Sequence, residues 1–213
     1  MNNFIRALIV SDFLLYFSYG LLTPILAVFV TGQIVGADIE TVGLASAIYW
    51  ITRSLSTIPL ARLMDSRDGE KDEFQFMFWG SLLMSLTLMS MIFARRPEHI
   101  YIIQGLFGIF NSMAIPGWRI LFTNHLDRGR TGFEWGLWDV AVALGTGVSA
   151  YIGSIIAERF GFDTLFVLVG AVGVLGSLIL IPLRKHTRTL SELKQLHRKM
   201  CDDMVEVAGM NKT

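Results

Sequence analysis

Four charged residues interrupt long apolar stretches of this sequence: Asp12, Arg53, Arg119 and Asp139. A charge at the centre of a bilayer costs roughly 3 kcal/mol on insertion scales, so each invites a functional reading. Asp139 and Arg119 fit two arrangements. One is a structural ion pair that lets two charges share the membrane; the other is a switchable pair on a proton or substrate path. A carboxylate in a low-dielectric cavity holds a proton more tightly, and a nearby guanidinium loosens that hold. Movement of Asp12 relative to Arg119 is therefore a route to loading and releasing a proton. Arg53 has no acidic partner at its own depth and suits contact with an anion or substrate.

Neighbouring residues extend both sites. Asp12, Tyr16, Tyr19 and Thr23 share one helix face by their four- and three-residue spacing. Ser46, Tyr49 or Trp50, Arg53 and Thr57 do the same further on. Mixed aromatic and polar faces suit a solute cavity. Helix–helix hydrogen bonding uses the same residue types. The charge on each face favours the cavity.

The elements that hold these residues follow from composition. Of 213 residues, 53% are hydrophobic and 17% charged, against about 25% charged in an ordinary soluble domain. Mean hydropathy is +0.52. The formal net charge is zero, which gives no electrostatic pull toward nucleic acid. The apolar residues fall in blocks of about 20, enough at 1.5 Å per residue to cross a hydrocarbon core of about 30 Å. The spacing predicts an all-α membrane protein with six transmembrane helices, at about 7–31, 41–64, 74–94, 99–123, 134–157 and 163–183. The first block is read as a retained helix: it is long for a signal peptide, contains Asp12 and lacks a small-residue cleavage site.

Connections between the blocks are short, so function must sit among the helices or on the polar tail, residues 184–213. With the N-terminus inside, inner segments carry Arg6, Arg67, Lys71, Arg128, Arg130, Arg184, Lys185 and Arg188. Outer segments carry Arg95, Arg96 and Arg159. This bias places both termini in the cytoplasm of a cell membrane. Blocks one, two, four and five hold the intramembrane charges and are expected to line a polar interior. Blocks three and six are expected to face lipid. Asp12, Arg119 and Asp139 should lie at one depth and Arg53 nearer the midplane.

Other chemistry finds little support. Cys201 is the one cysteine, which rules out an internal disulfide and a CxxC site. No HExxH occurs, so an intramembrane protease, the other six-helix option, is disfavoured; no enzyme activity, metal or cofactor is expected. Gly136, Gly145, Gly147, Gly153, Gly170, Gly173 and Gly176 read as sites of close helix packing. Pro24, Pro59 and Pro116 can bend their helices.

The run Ala61-Arg-Leu-Met-Asp65-Ser-Arg67-Asp-Gly69-Glu-Lys71 resembles the signature G-x-x-x-D-R-x-G-R-[RK] between helices 2 and 3 of the major facilitator superfamily. Ala61 replaces the first Gly, and Gly69 and Lys71 align after a one-residue insertion. Gln104-Gly105 and Gly108 are similar to the R-x-x-Q-G-x-G run of helix 4, with Tyr101 in the place of the arginine. Arg128-Gly-Arg130 and Ala157-Glu-Arg-Phe-Gly161 resemble segments flanking helix 5, though Ser149-Ala150 replaces the Gly-Pro of drug antiporters. The resemblance covers nearly all of residues 7–183. It implies one six-helix half of the family fold, built as 3+3 inverted repeats. It also implies a cytoplasmic gating motif at Asp65, Arg67 and Gly69.

A complete member of that family has two such halves. A half-cavity carrying Asp12, Tyr16, Arg53, Arg119 and Asp139 would expose charges to lipid, so a partner is expected: a homodimer or a separately encoded second half. The expected function is half-size secondary transport of a small solute by alternating access, with proton coupling. A non-transporting membrane subunit, an assembly factor or a truncated fragment is the alternative. Thr189-Leu-Ser-Glu192 has capping-box spacing and starts an amphipathic helix in the tail.

Overall fold

The computed structural model describes residues 2–65, 69–127 and 129–187. The expected tail helix, Cys201, Arg67 and Arg128 lie outside them. The described chain is almost wholly helical: α1 (Asn3–Leu22), α2 (Leu26–Gln33), α3 (Ile39–Asp65), α4 (Glu70–Met89), α5 (Pro97–Asn124) and α6 (Thr131–Leu178). Short 3-10 turns follow α4 at Ser90–Phe93 and α6 at Ile181–His186.

Local chemistry sets the boundaries. The Asn2 side chain accepts the Phe4 N–H at 3.1 Å and caps α1. Pro24 has no N–H to continue the ladder, so α1 ends and α2 restarts after it. Asp38 and Thr41 cap α3 reciprocally: the Thr41 N–H donates to Asp38 Oδ1 at 2.8 Å, and the Asp38 N–H to Thr41 Oγ1 at 3.2 Å. Pro97 opens α5, where a missing N–H costs nothing. Pro59 and Pro116 lie inside α3 and α5 without ending them.

Among the described residues, four segments are long and apolar enough to cross a membrane: Asn3–Gln33, Glu70–Phe93, Pro97–Asn124 and Thr131–Lys185. The expected six blocks differ from these for two reasons. α3 has the length, 27 residues, but carries Glu40, Arg53, Arg62 and Asp65. The fifth and sixth blocks form one segment, interrupted at Gly161 by a non-helical φ of 83° that favours glycine. At that point α6 doubles back. Residues 131–160 run alongside α1, where Phe13 meets Gly145 and Leu21 meets Gly153. Residues 162–178 run the other way, where Ser11 Oγ donates to the Gly176 carbonyl at 2.8 Å and Ser18 Oγ to the Val169 carbonyl at 2.7 Å.

α1 thus packs against both arms of α6, and α5 packs against both α3 and α4. Small residues permit the approach. A methyl group at Gly153 would strike the Leu21 backbone, and one at Gly80 the backbone of Phe110 and Ala114. Gly136 and Gly147 do not pack as expected: they are exposed, with open space where a side chain would stand. Their positions fall on the outward side of α6, away from α1.

Two apolar clusters close the bundle. One joins Phe4, Leu8, Phe74, Leu121 and Phe122 near the N-terminus; the other joins Phe29, Met91, Ile100 and Phe166 at the opposite end. Between them lies a layer of buried small polar residues, including Ser18, Ser85 and Ser149, each fully buried.

Candidate functional site

That middle layer opens into a cavity of about 780 Å³. α1 contributes Asp12, Tyr16, Tyr19 and Thr23, and α3 contributes Ser46, Tyr49, Trp50 and Arg53. Gln104, Phe107, Asn111, Trp118 and Arg119 come from α5, and Trp135 and Trp138 from α6. α4 adds Ser81, Met84 and Leu88, which corrects the expectation that the third block faces only lipid. The cavity reaches behind α1 to α4, where the Tyr19 hydroxyl meets Met84 Sδ at 3.7 Å. The second arm of α6 contributes no lining residue.

The charged side chains are held in different ways. Asp12 is 8% exposed, and its Oδ2 accepts the Trp138 indole N–H at 2.6 Å. Tyr16 packs edge-on to Trp138, with ring centroids 6.5 Å apart. It shares the cavity with Asp12, Arg119 and Arg53. Arg53 Nη1 donates to the Tyr49 hydroxyl at 3.3 Å, and its guanidinium lies 5.0 Å from the centre of the Trp50 ring. Gly108 lets α5 come close to α3 at this level, since any side chain there would strike Thr52 and the Tyr49 carbonyl. Arg119 is exposed at the cavity. Among the described residues neither arginine is in an ion pair.

Asp12, Tyr16, Arg53 and Arg119 are therefore brought to one cavity. Asp139 is not: it is exposed and outside the lining, so the expected pair with Arg119 does not form. The reason is helical geometry. Successive residues on a helix are about 100° apart, and Trp138 takes the inward position beside Asp12. Thr57 also serves the backbone rather than the cavity, donating to the Arg53 carbonyl at 2.7 Å. Of the gating motif, Asp65 ends α3 and Gly69 precedes α4 with φ 76°, a conformation that favours glycine.

Sequence reasoning missed Trp118, Trp135, Trp138 and Asn111. A signal for Trp138 exists: Gly145, Ser149 and Gly153 lie on the same buried stripe of α6. Extending that stripe toward the N-terminus reaches Trp138 and leaves Asp139 off it. Trp118 belongs to an aromatic chain, stacked on Phe122 at 4.7 Å and tilted against Trp138 at 5.1 Å.

Apolar helices packed through small residues around a charged aromatic cavity define an integral membrane protein. The family model of the Major Facilitator Superfamily matches residues 8–203, and the chain belongs to that family. It is 25% identical over 170 residues to the uncharacterized MFS-type transporter MJ1560 of Methanocaldococcus jannaschii, covering 80% of this chain and 42% of that protein. It is 27% identical over 173 residues to the multi-drug resistance efflux pump PmrA of Streptococcus pneumoniae, again covering 80% of this chain and 42% of the relative. The chain thus spans less than half the length of these relatives. Its fold is similar to a crystal structure of the peptide transporter POT in complex with sulfate, with a TM-score of 0.73 and 19% identity, covering 99% of this chain and 46% of that one.

Proposed function

We propose that this chain is a six-helix half of a secondary transporter that moves a small solute across the membrane by alternating access. The observation that carries the reading is the cavity: within a family of transporters, charged and aromatic side chains converge on a space large enough for a small molecule. The packing pattern supports a 3+3 inverted repeat. The first helix of each triplet, α1 or α5, lies against the last two of the other. The six passages are then α1 with α2, α3, α4, α5 and the two arms of α6, with both termini in the cytoplasm. Asp12, buried in the wall, is the carboxylate we assign to proton coupling. The family resemblance is our ground for assigning a cytoplasmic gate to Asp65, Arg67 and Gly69, of which Arg67 lies outside the described residues.

On this reading the cavity is completed by a second half, for which a second copy of this chain or a separate six-helix unit is the candidate we test. The outward face of α6, with Gly136, Asp139, Val140 and Gly147 exposed, supplies a surface for it. Covering that face would also remove Asp139 from lipid, where a charge is costly. The alternative is a piece of a longer transporter or a non-transporting subunit; a span of 42% of the relatives fits a piece as well as a half-size unit.

The test is flux. The purified chain in proteoliposomes should accumulate a solute from a labelled panel under an imposed pH gradient, and Asp12→Asn should remove the pH dependence. A dimer that carries nothing from the panel would sink the transport reading. Single cysteines on the outward faces of α3 and α6, in a Cys201→Ser background, should crosslink between copies. A chain that stays monomeric in lipid would exclude the homodimer.

A further inference from the structure

We infer that the cavity is a site for organic anions with an aromatic or similarly flat apolar body, an inference that rests on the transport reading and names its substrate class. The charged lining residues are Asp12, Arg53 and Arg119. The single carboxylate is occupied: it is buried and accepts the Trp138 indole N–H. Arg53 and Arg119 have no carboxylate partner among the described residues, so the cavity has a surplus of positive charge with or without a proton on Asp12. An uncompensated guanidinium in a low-dielectric space favours an anionic ligand. The aromatic walls alone would suit a flat cation equally well by cation–π attraction. The arginines decide against it, and Arg53 already lies over the face of Trp50.

A second observation points to a ligand. Two lining residues more than nine-tenths buried, Asn111 at 6% and Trp118 at 7% exposure, each leave a hydrogen-bonding atom without a partner among the described residues. The atoms are the Asn111 side-chain oxygen, an acceptor, and the Trp118 indole N–H, a donor. Buried polar atoms are nearly always partnered in native structures. A bound anion offers an acceptor to Trp118, and a hydroxyl or amide on its body offers a donor to Asn111.

The experiment is a charge series on one scaffold: cinnamate, cinnamyl alcohol and protonated cinnamylamine. Binding is measured by titration calorimetry on the full chain in lipid nanodiscs. Cinnamate should bind about tenfold or more tighter than the other two, the difference expected of a charged hydrogen bond. Arg53→Gln should remove most of that preference, while Arg53→Lys should keep part of it by keeping the charge. Trp118→Phe should weaken cinnamate by severalfold. Equal or tighter binding of the alcohol or the ammonium overturns the inference, and so does no binding of any of the three. If Arg53→Gln fails to fold, the wild-type series and the lysine variant still decide. Flux separates the two claims. Charge-selective binding without flux leaves the anion site standing and removes transport, whereas flux of cinnamylamine but not cinnamate does the reverse.

Discussion

Arg119 and His125 lie within two turns of each other at the end of α5, yet one is open and the other enclosed. Arg119 is exposed at the cavity with no described carboxylate against it. The His125 side chain is 7% exposed and clamped from three sides. Phe4 stacks on its ring at 3.8 Å, Nδ1 meets the Leu121 carbonyl at 3.0 Å, and Nε2 faces Glu70 Oε2 at 3.8 Å. Asn124 adds a contact to Glu70 at 3.5 Å, and Glu134 accepts the Asp127 N–H at 3.1 Å nearby. Here α1, α4, α5 and α6 are tied together by groups the chain itself supplies. In the cavity Arg53 is supported by the rings of Tyr49 and Trp50, and both arginines are left for something else to neutralise. The first arrangement serves stability; the second suits binding.

The largest effect should come from the enclosed end. Glu70→Ala leaves His125 and Asn124 facing a void where a buried acceptor stood, at a cost of about 2 kcal/mol or more. The melting midpoint in detergent should fall clearly. Arg53→Gln should change it by no more than about 1 kcal/mol, because the partners lost are one long hydrogen bond to Tyr49 and one cation–π contact with the exposed Trp50 ring. If Arg53→Gln costs as much as Glu70→Ala, the contrast between the two regions fails.

Why the sequence revealed one region and not the other follows from the same contrast. Charges in apolar blocks stand out, so Asp12, Arg53 and Arg119 were legible from composition alone, and the family from its motifs. Glu70, His125 and Glu134 sit among polar loop residues, where burial leaves no compositional mark. Asp139 misled for a related reason: an apolar block records depth, while inward or outward direction depends on the helix stripe. Gly145, Ser149 and Gly153 carry that stripe, and Asp139 lies off it. α3 shows the opposite limit. Its polar residues keep it below the apolarity of the other segments, although its length matches theirs.

Intermediate effects should come from the bond that encloses the one cavity carboxylate. Trp138→Phe keeps the packing against Tyr16 and Trp118 but removes the indole donor to Asp12, at about 1–2 kcal/mol. The midpoint should drop less than for Glu70→Ala. Asp139→Asn, next along the helix, should move the midpoint by under about 0.5 kcal/mol in the monomer. Equal losses for the two variants would mean that Asp139 also has a partner within the chain, and the outward assignment would fail.

The smallest effect should lie at the start of α3, where a charge is fully exposed yet satisfied. Bonds from the Thr41 backbone and hydroxyl hold the Asp38 carboxyl below its usual value. The sign follows from linkage. The group binds its proton less readily in the folded chain, so its contribution is present above the unfolded value of about 3.9 and is lost as pH falls through the lower folded value. Asp38→Asn keeps a capping oxygen that does not titrate. The wild type should therefore be at least as stable as Asp38→Asn at pH 7, and its advantage should shrink or reverse near pH 3. An advantage that stays constant across that range would show that the cap does not depend on charge. Asp38 would then stand with the enclosed groups near Glu70, held by geometry alone.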